Sequence, residues 1–139
     1  MWLLSLPVAQ KRMSGGKPLK VYINSDQQKY EATLGTYCWK ATCVGTVGPV
    51  ELLKKKKSVQ VKPGENITIF MDYEPKPNEY TLILLNGDLE KEISLKEQGF
   101  SAPIQKGVYV YYYSVGWMDE KEEHVSNGDA YYALALEVK

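Results

Sequence analysis

Cys38 and Cys43, in the run Tyr-Cys-Trp-Lys-Ala-Thr-Cys, are the only thiols of the chain. Four residues between them is not the Cys-x-x-Cys spacing of redox catalysis. Two thiols without clustered histidines also do not complete a tetrahedral zinc site. A local disulfide and a pair of buried thiols both fit the residues, and the disulfide is the expectation. A bridge closing so short a loop adds only about 2 kcal/mol in the chain-entropy model, so its main role would be to fix the loop's shape. It would also point to an oxidising compartment.

The other chemistry-bearing residues are sparse. His124 is the sole histidine, it lies in the polar stretch Asp119–Asp129, and no Gly-x-Ser-x-Gly elbow accompanies it. It reads as a solvated surface residue, and a Cys–His mechanism would need a free thiol beside it. Asp119, Glu120, Glu122, Glu123 and Asp129 supply hard oxygen ligands of the kind calcium takes. Their spacing does not match the twelve-residue calcium loop and Lys121 interrupts them, so they read as a solvated tip with no metal. No glycine-rich phosphate loop opens a helix, and no pair of carboxylates stands out for glycoside hydrolysis. The expectation is a protein that is not an enzyme and carries no cofactor.

Aromatic residues are the more informative group. Tyr37, Trp39, Tyr111, Tyr112 and Trp117 are candidates for a flat platform that stacks on sugars or on a peptide, and equally for core. Tyr109, Tyr113 and Trp117 are assigned to the core, and Trp39 and Tyr112 to exposed positions. Tyr109 follows Gly107 closely, where sandwich domains place a tyrosine whose hydroxyl bonds back to nearby backbone.

These residues need elements to hold them. Gly107 to Trp117 and Ala130 to Val138 are rich in β-branched and aromatic side chains. Alternation puts Tyr109, Tyr111, Tyr113, Val115 and Trp117 on one face, and Tyr132, Leu134, Leu136 and Val138 on one face. The two stretches read as a long antiparallel hairpin. Earlier, Leu19–Ile23, Lys29–Leu34, Thr36–Cys43, Val59–Val61, Ile67–Tyr73, Tyr80–Leu84 and Leu89–Leu95 read as shorter strands. They are separated by turn chemistry at Asn24-Ser25-Asp26, Lys62-Pro63-Gly64-Glu65 and Asn86-Gly87. Val50–Leu53 is either one helical turn or an irregular crossing segment. The prediction is an all-β chain, an immunoglobulin-like antiparallel β-sandwich of about eight or nine strands. It assigns 1–17 to an apolar start and Gly-rich linker, and 18–139 to a single β-sandwich domain.

Seventeen basic residues balance seventeen acidic ones, so no overall field draws the chain to nucleic acid. The run Lys54–Lys57 lacks interleaved aromatics and reads as a solvated loop or as charge guarding a sheet edge. The apolar start Met1–Ala9 is far short of the ~20 residues needed to span a bilayer. It is the remnant of a signal-peptide apolar region, a ragged start, or a first strand docked on the sandwich. Asn66-Ile67-Thr68 has the form of a glycosylation acceptor, read here as chance.

Gly35-Thr36-Tyr37-Cys38-Trp39, then Cys43, then Gly48-Pro49-Val50-Glu51-Leu52-Leu53 resembles a segment of small extracytoplasmic, lipoprotein-like proteins of Gram-positive bacteria. In those a Gly-Ser/Thr-Tyr-Cys-Trp run precedes a second Cys and a Gly-Pro-x-Glu-Leu segment. Val61–Glu65 and Gly128–Tyr132 look similar as well. The resemblance implies an exported or membrane-anchored β-sandwich without an assigned activity. It directs attention to Tyr37, Trp39, Pro49 and Glu51, either as a ligand site or as a structural clasp. With Tyr112 added, these are the candidate ligand-binding residues. The functional expectation is a non-enzymatic binding or accessory module of the bacterial envelope, with an unknown protein or cell-envelope ligand as partner. The alternative is an inhibitor or regulator of a peptidase or other enzyme, acting through the loop Asp119–Asp129.

Overall fold

Alternating side chains commit each strand to one inside face, and the structure follows that commitment. The computed structural model describes residues 20–25, 28–39, 42–54, 56–71, 76–86, 89–119, 121–122 and 126–139. The apolar start 1–17, His124, Glu120 and Glu123 lie outside the described residues. Within them are eleven strands: β1 (Val21–Ser25), β2 (Gln28–Glu31), β3 (Thr33–Trp39), β4 (Thr42–Val44), β5 (Val59–Val61), β6 (Asn66–Met71), β7 (Glu79–Asn86), β8 (Leu89–Ile93), β9 (Gly99–Ser101), β10 (Gly107–Met118) and β11 (Ser126–Val138). One helical turn, α1 (Pro49–Leu52), interrupts them. The chain is an all-β sandwich, as the alternation predicts, with two strands beyond those read from the sequence, the three-residue β4 and β9.

The first sheet runs β2-β1-β6-β9 and the second β4-β3-β11-β10-β7-β8. All pairings are antiparallel except one: β5 runs parallel to the end of β11, with Val59 opposite Leu136 and Val61 opposite Val138. The predicted hairpin is β10–β11, paired from Gly107↔Val138 to Met118↔Ser126. Its inward face is the predicted one, since Tyr111, Tyr113, Val115, Trp117, Tyr132, Leu134, Leu136 and Val138 are all buried. Val21, Ile23, Ile67 and Ile69 meet them from the first sheet. Each such aliphatic side chain taken fully from water is worth about 1.5–3 kcal/mol, so this face carries the stability of the sandwich.

Local chemistry sets the joints. Between β2 and β3 the chain changes sheets at Ala32, which is buried and whose N–H donates to the Val21 carbonyl at 2.9 Å. The Pro63-Gly64 turn closes as predicted: Glu65 N–H donates to Lys62 O at 3.1 Å, and Gly64 takes φ +72°, open to glycine without strain. The Tyr109 hydroxyl donates to the Gln105 carbonyl at 2.8 Å, the back-bond expected of a tyrosine at this corner.

Candidate functional site

Cys38 and Cys43 face each other across the β3–β4 ladder and are joined as a disulfide. The site is built outward from that bridge. After β4 the chain does not continue along the sheet edge; it turns back over the outer face of the larger sheet. Thr46 N–H donates to Thr36 Oγ1 at 3.0 Å, the two threonine hydroxyls lie 3.3 Å apart, and the Tyr131 hydroxyl donates to the Val47 carbonyl at 2.9 Å. Pro49 then opens α1, at a position where its missing N–H costs nothing. The helix lies against β11, β10 and β3 before the chain enters β5. The segment is both of the things Val50–Leu53 suggested, a crossing piece and a helical turn.

The outer face accepts this crossing because its floor is small. Ala133 points outward between inward Tyr132 and Leu134, and it is fully buried although it stands on the outside of the sheet. Gly35 is the second concession. An added Cβ there would sit 2.5 Å from the Tyr131 ring, so only glycine leaves that ring its place. Here β3 also slips register: Ala130 opposes Tyr37 and Tyr132 opposes Leu34, so Gly35 and Thr36 together stand across from Tyr131.

That slip corrects one expectation. Trp39 is not an exposed platform residue: it is 1% exposed and packs edge-on against Trp117, ring centroids 4.8 Å apart at 88°. Carried from inward Leu34, plain alternation would turn Tyr37 and Trp39 outward; the extra residue reverses the phase and turns Cys38 out instead. Gly128 pairs with both Trp39 and Trp117, so no side chain separates the two indoles. Tyr37 is half-buried and also packs on the core. The five candidate residues therefore divide. Tyr37 and Trp39 point inward, while Pro49, Glu51 and Tyr112 belong to the outer face, with Pro49 and Tyr112 half-buried and Glu51 exposed.

On the outer face Tyr112 meets Tyr131 edge to face, centroids 5.9 Å apart, and its hydroxyl donates weakly to Glu90 at 3.4 Å. Burial, and then the Glu90 charge, hold the Tyr112 phenol above its ordinary value, so it stays a neutral donor. Beside this pair a groove of about 370 Å³ runs across β3, β11, β10 and β7. Its walls carry the hydroxyls of Thr36, Thr81, Ser114 and Tyr131 and the carboxylates of Glu79 and Asp129, over a floor that includes Gly116. Ser126 donates to Gly128 O at 3.2 Å and lies 3.5 Å from Asp129 Oδ2, which steadies one wall. The arrangement offers hydrogen bonds in both directions to a polar ligand.

Sequence reasoning missed Tyr131, Thr36 and Ser114. The signal was present in the doublet Tyr131-Tyr132, because adjacent strand residues face opposite ways and one ring of such a pair must be outside. No helix among the described residues is long and apolar enough to cross a membrane. No family model matches this chain, and no curated protein and no solved structure matches it.

Proposed function

We propose that this chain is a non-enzymatic binding module working outside the cytoplasm, at a bacterial envelope, and that it takes a hydroxyl-rich glycan in the outer-face groove. The groove itself carries the reading. Hydroxyl and carboxylate side chains line a shallow trough beside an aromatic ring, the pairing that suits sugar hydroxyls and their apolar faces. The clasp holds that trough in shape before any ligand arrives, which lowers the ordering cost of binding. Two further observations support the setting. The Cys38–Cys43 bridge suits an oxidising compartment. The strand orders β1-β6-β9 and β5-β11-β10-β7-β8, with the Tyr109 back-bond, suit an immunoglobulin-like sandwich of the extracytoplasmic family that the Gly35–Leu53 segment resembles.

The test is a titration of isotope-labelled protein with soluble envelope glycan fragments, read at the backbone amides. Saturable shifts confined to Ser114, Thr81, Asp129 and Tyr131 are expected. Asp129→Asn combined with Ser114→Ala should weaken binding by about tenfold, one or two hydrogen bonds' worth, with an unchanged melting temperature. Shifts elsewhere, or equal affinity in the double variant, would count against the groove.

The second reading is an inhibitor or regulator acting through the connection between β10 and β11, the expected Asp119–Asp129 loop less Ser126–Asp129, which belong to β11; one feature favours it. Asn78 grips the Met118 backbone from both sides, its amide donating to Met118 O at 2.9 Å and accepting from Met118 N–H at 2.8 Å. A loop anchored so firmly at its base suits insertion into a cleft. Rapid proteolytic nicking at Lys121 in the folded protein would argue against it.

A further inference from the structure

Three exposed valines crowd into one short run of the crossing segment: Val44, Val47 and Val50 are 39%, 56% and 60% exposed. Val44 ends β4, the Val47 carbonyl is the one that Tyr131 pins, and Val50 lies in α1. The helical turn explains which way Val50 faces. Pro49, Leu52 and Leu53 are half-buried on the side that meets the sheet, and Val50, Glu51 and Lys54 are left on the solvent side. Val50 and Lys54 are one turn apart, so they stand together there. Lys56 and Lys57 follow, both exposed. From Val44 to Lys57 the chain carries four lysines and a single acidic residue, Glu51. Among the described residues no ion pair engages Lys54, Lys56 or Lys57.

A solvated loop accounts for the lysines and leaves the valines without a reason. Apolar tips beside unpaired cations are complementary to a surface that is negative on top and apolar beneath. We propose that this segment docks on an anionic phospholipid surface, with Val47 and Val50 entering the headgroup layer and Lys54, Lys56 and Lys57 pairing with lipid phosphates. A dissolved anion would engage the lysines alone and leave the valines in water. The disulfide and the bonds from Thr46 and Tyr131 hold the segment in shape beforehand, so docking orders little chain. The docking residues and the lining of the outer-face groove have no member in common. Failure of glycan binding at the groove would leave this surface standing.

The experiment sediments the full chain with vesicles of phosphatidylglycerol and, in parallel, of phosphatidylcholine. Saturable binding to the anionic vesicles is expected, with little to the zwitterionic ones, and it should fade toward about 1 M salt as charges are screened. Lys54→Gln with Lys56→Gln and Lys57→Gln should bind roughly a hundredfold more weakly, about fivefold for each lysine. Val47→Ser with Val50→Ser should bind about tenfold more weakly, two partly inserted side chains' worth. All these side chains are exposed, so both variants should keep the wild-type melting temperature. Undiminished binding by the valine variant would reduce the segment to a cationic loop and overturn the proposal. Equal binding to both kinds of vesicle would remove the role of the lysines and overturn it too. If neither vesicle binds while the wild type self-associates and the valine variant does not, the valines belong to an interface between copies and the proposal is wrong.

Discussion

Gly35 and Tyr131 occupy adjoining space on the outer face, and the fit admits no methyl group. An alanine Cβ 2.5 Å from the ring forces Tyr131 to move, and its hydroxyl then leaves the Val47 carbonyl that pins the crossing segment. Gly35→Ala should therefore cost about 1–3 kcal/mol, the usual penalty of overpacking. Adding Tyr131→Ala should recover part of it, because the clash disappears while the lost hydrogen bond does not. A double-mutant cycle in urea measures both, and additive losses would show that the two residues are not coupled. The same position explains why the inside faces of β10 and β11 are legible in the sequence and that of β3 is not. Long runs such as Tyr109–Trp117 keep one phase, so period two identifies their buried residues. In β3 the register slip at Gly35–Thr36 reverses the phase, and nothing in a single sequence distinguishes a bulge from an ordinary strand glycine. Alternation alone puts Trp39 on the wrong face for that reason.

At the scale of elements, the disulfide and the crossing segment form one unit. The bridge ties β4, an edge strand exposed along its length, to β3, and the segment after β4 is then held by Thr36, Tyr131 and the seat of α1. Short strands at an edge are weakly held by their own ladder. Cys38→Ser with Cys43→Ser should lower stability by about 2 kcal/mol, the entropy of so short a loop. It should speed amide exchange in Thr42–Leu53 far more than in β10 or β11. Hydrogen exchange resolves this, and uniform acceleration throughout the sandwich would contradict it. The Gly35–Leu53 segment stands out in the sequence as one motif, and its structural half is the readable part. Its residues build one clasp, but which of them face a ligand depends on contacts with Tyr131, Ala133 and Tyr112, far away in sequence.

For the whole molecule, two sets of groups set the pH limits. Glu65 accepts from the Lys62 N–H at 2.9 Å and from the buried Ser25 hydroxyl, and these bonds hold its carboxyl below the ordinary range. A depressed carboxyl contributes stability above its unfolded value, about 4.3, and that contribution is lost as pH falls through the folded one. At the other end, burial pushes the Tyr111 phenol up to about 12, with Tyr109 adding to the shift. Burial raises Tyr113 and Tyr132 as well. A raised phenol contributes stability in full below its unfolded value, about 10, and loses it as pH climbs toward the folded one. Melting temperature against pH should fall below about pH 4 and above about pH 10, with Glu65→Gln flattening only the acid limb. Tyrosinate absorbance should rise in two stages, exposed rings first and buried rings only on unfolding. A single stage near pH 10 with the fold intact would contradict the burial of this face.

The position of β11 has a consequence for how the chain is made. It follows every other described strand in sequence, yet it lies inside the larger sheet, with β3 and β5 along one side and β10 along the other. Until 126–138 exist, β3 and β5 have no neighbour that joins them to β10, so the larger sheet cannot be completed progressively from the amino terminus. Pairings as distant as Val59 with Leu136 also make late, slow closure the rule for such a topology. The smaller sheet needs nothing after Ser101, so it can close while the larger one still waits as two separate parts.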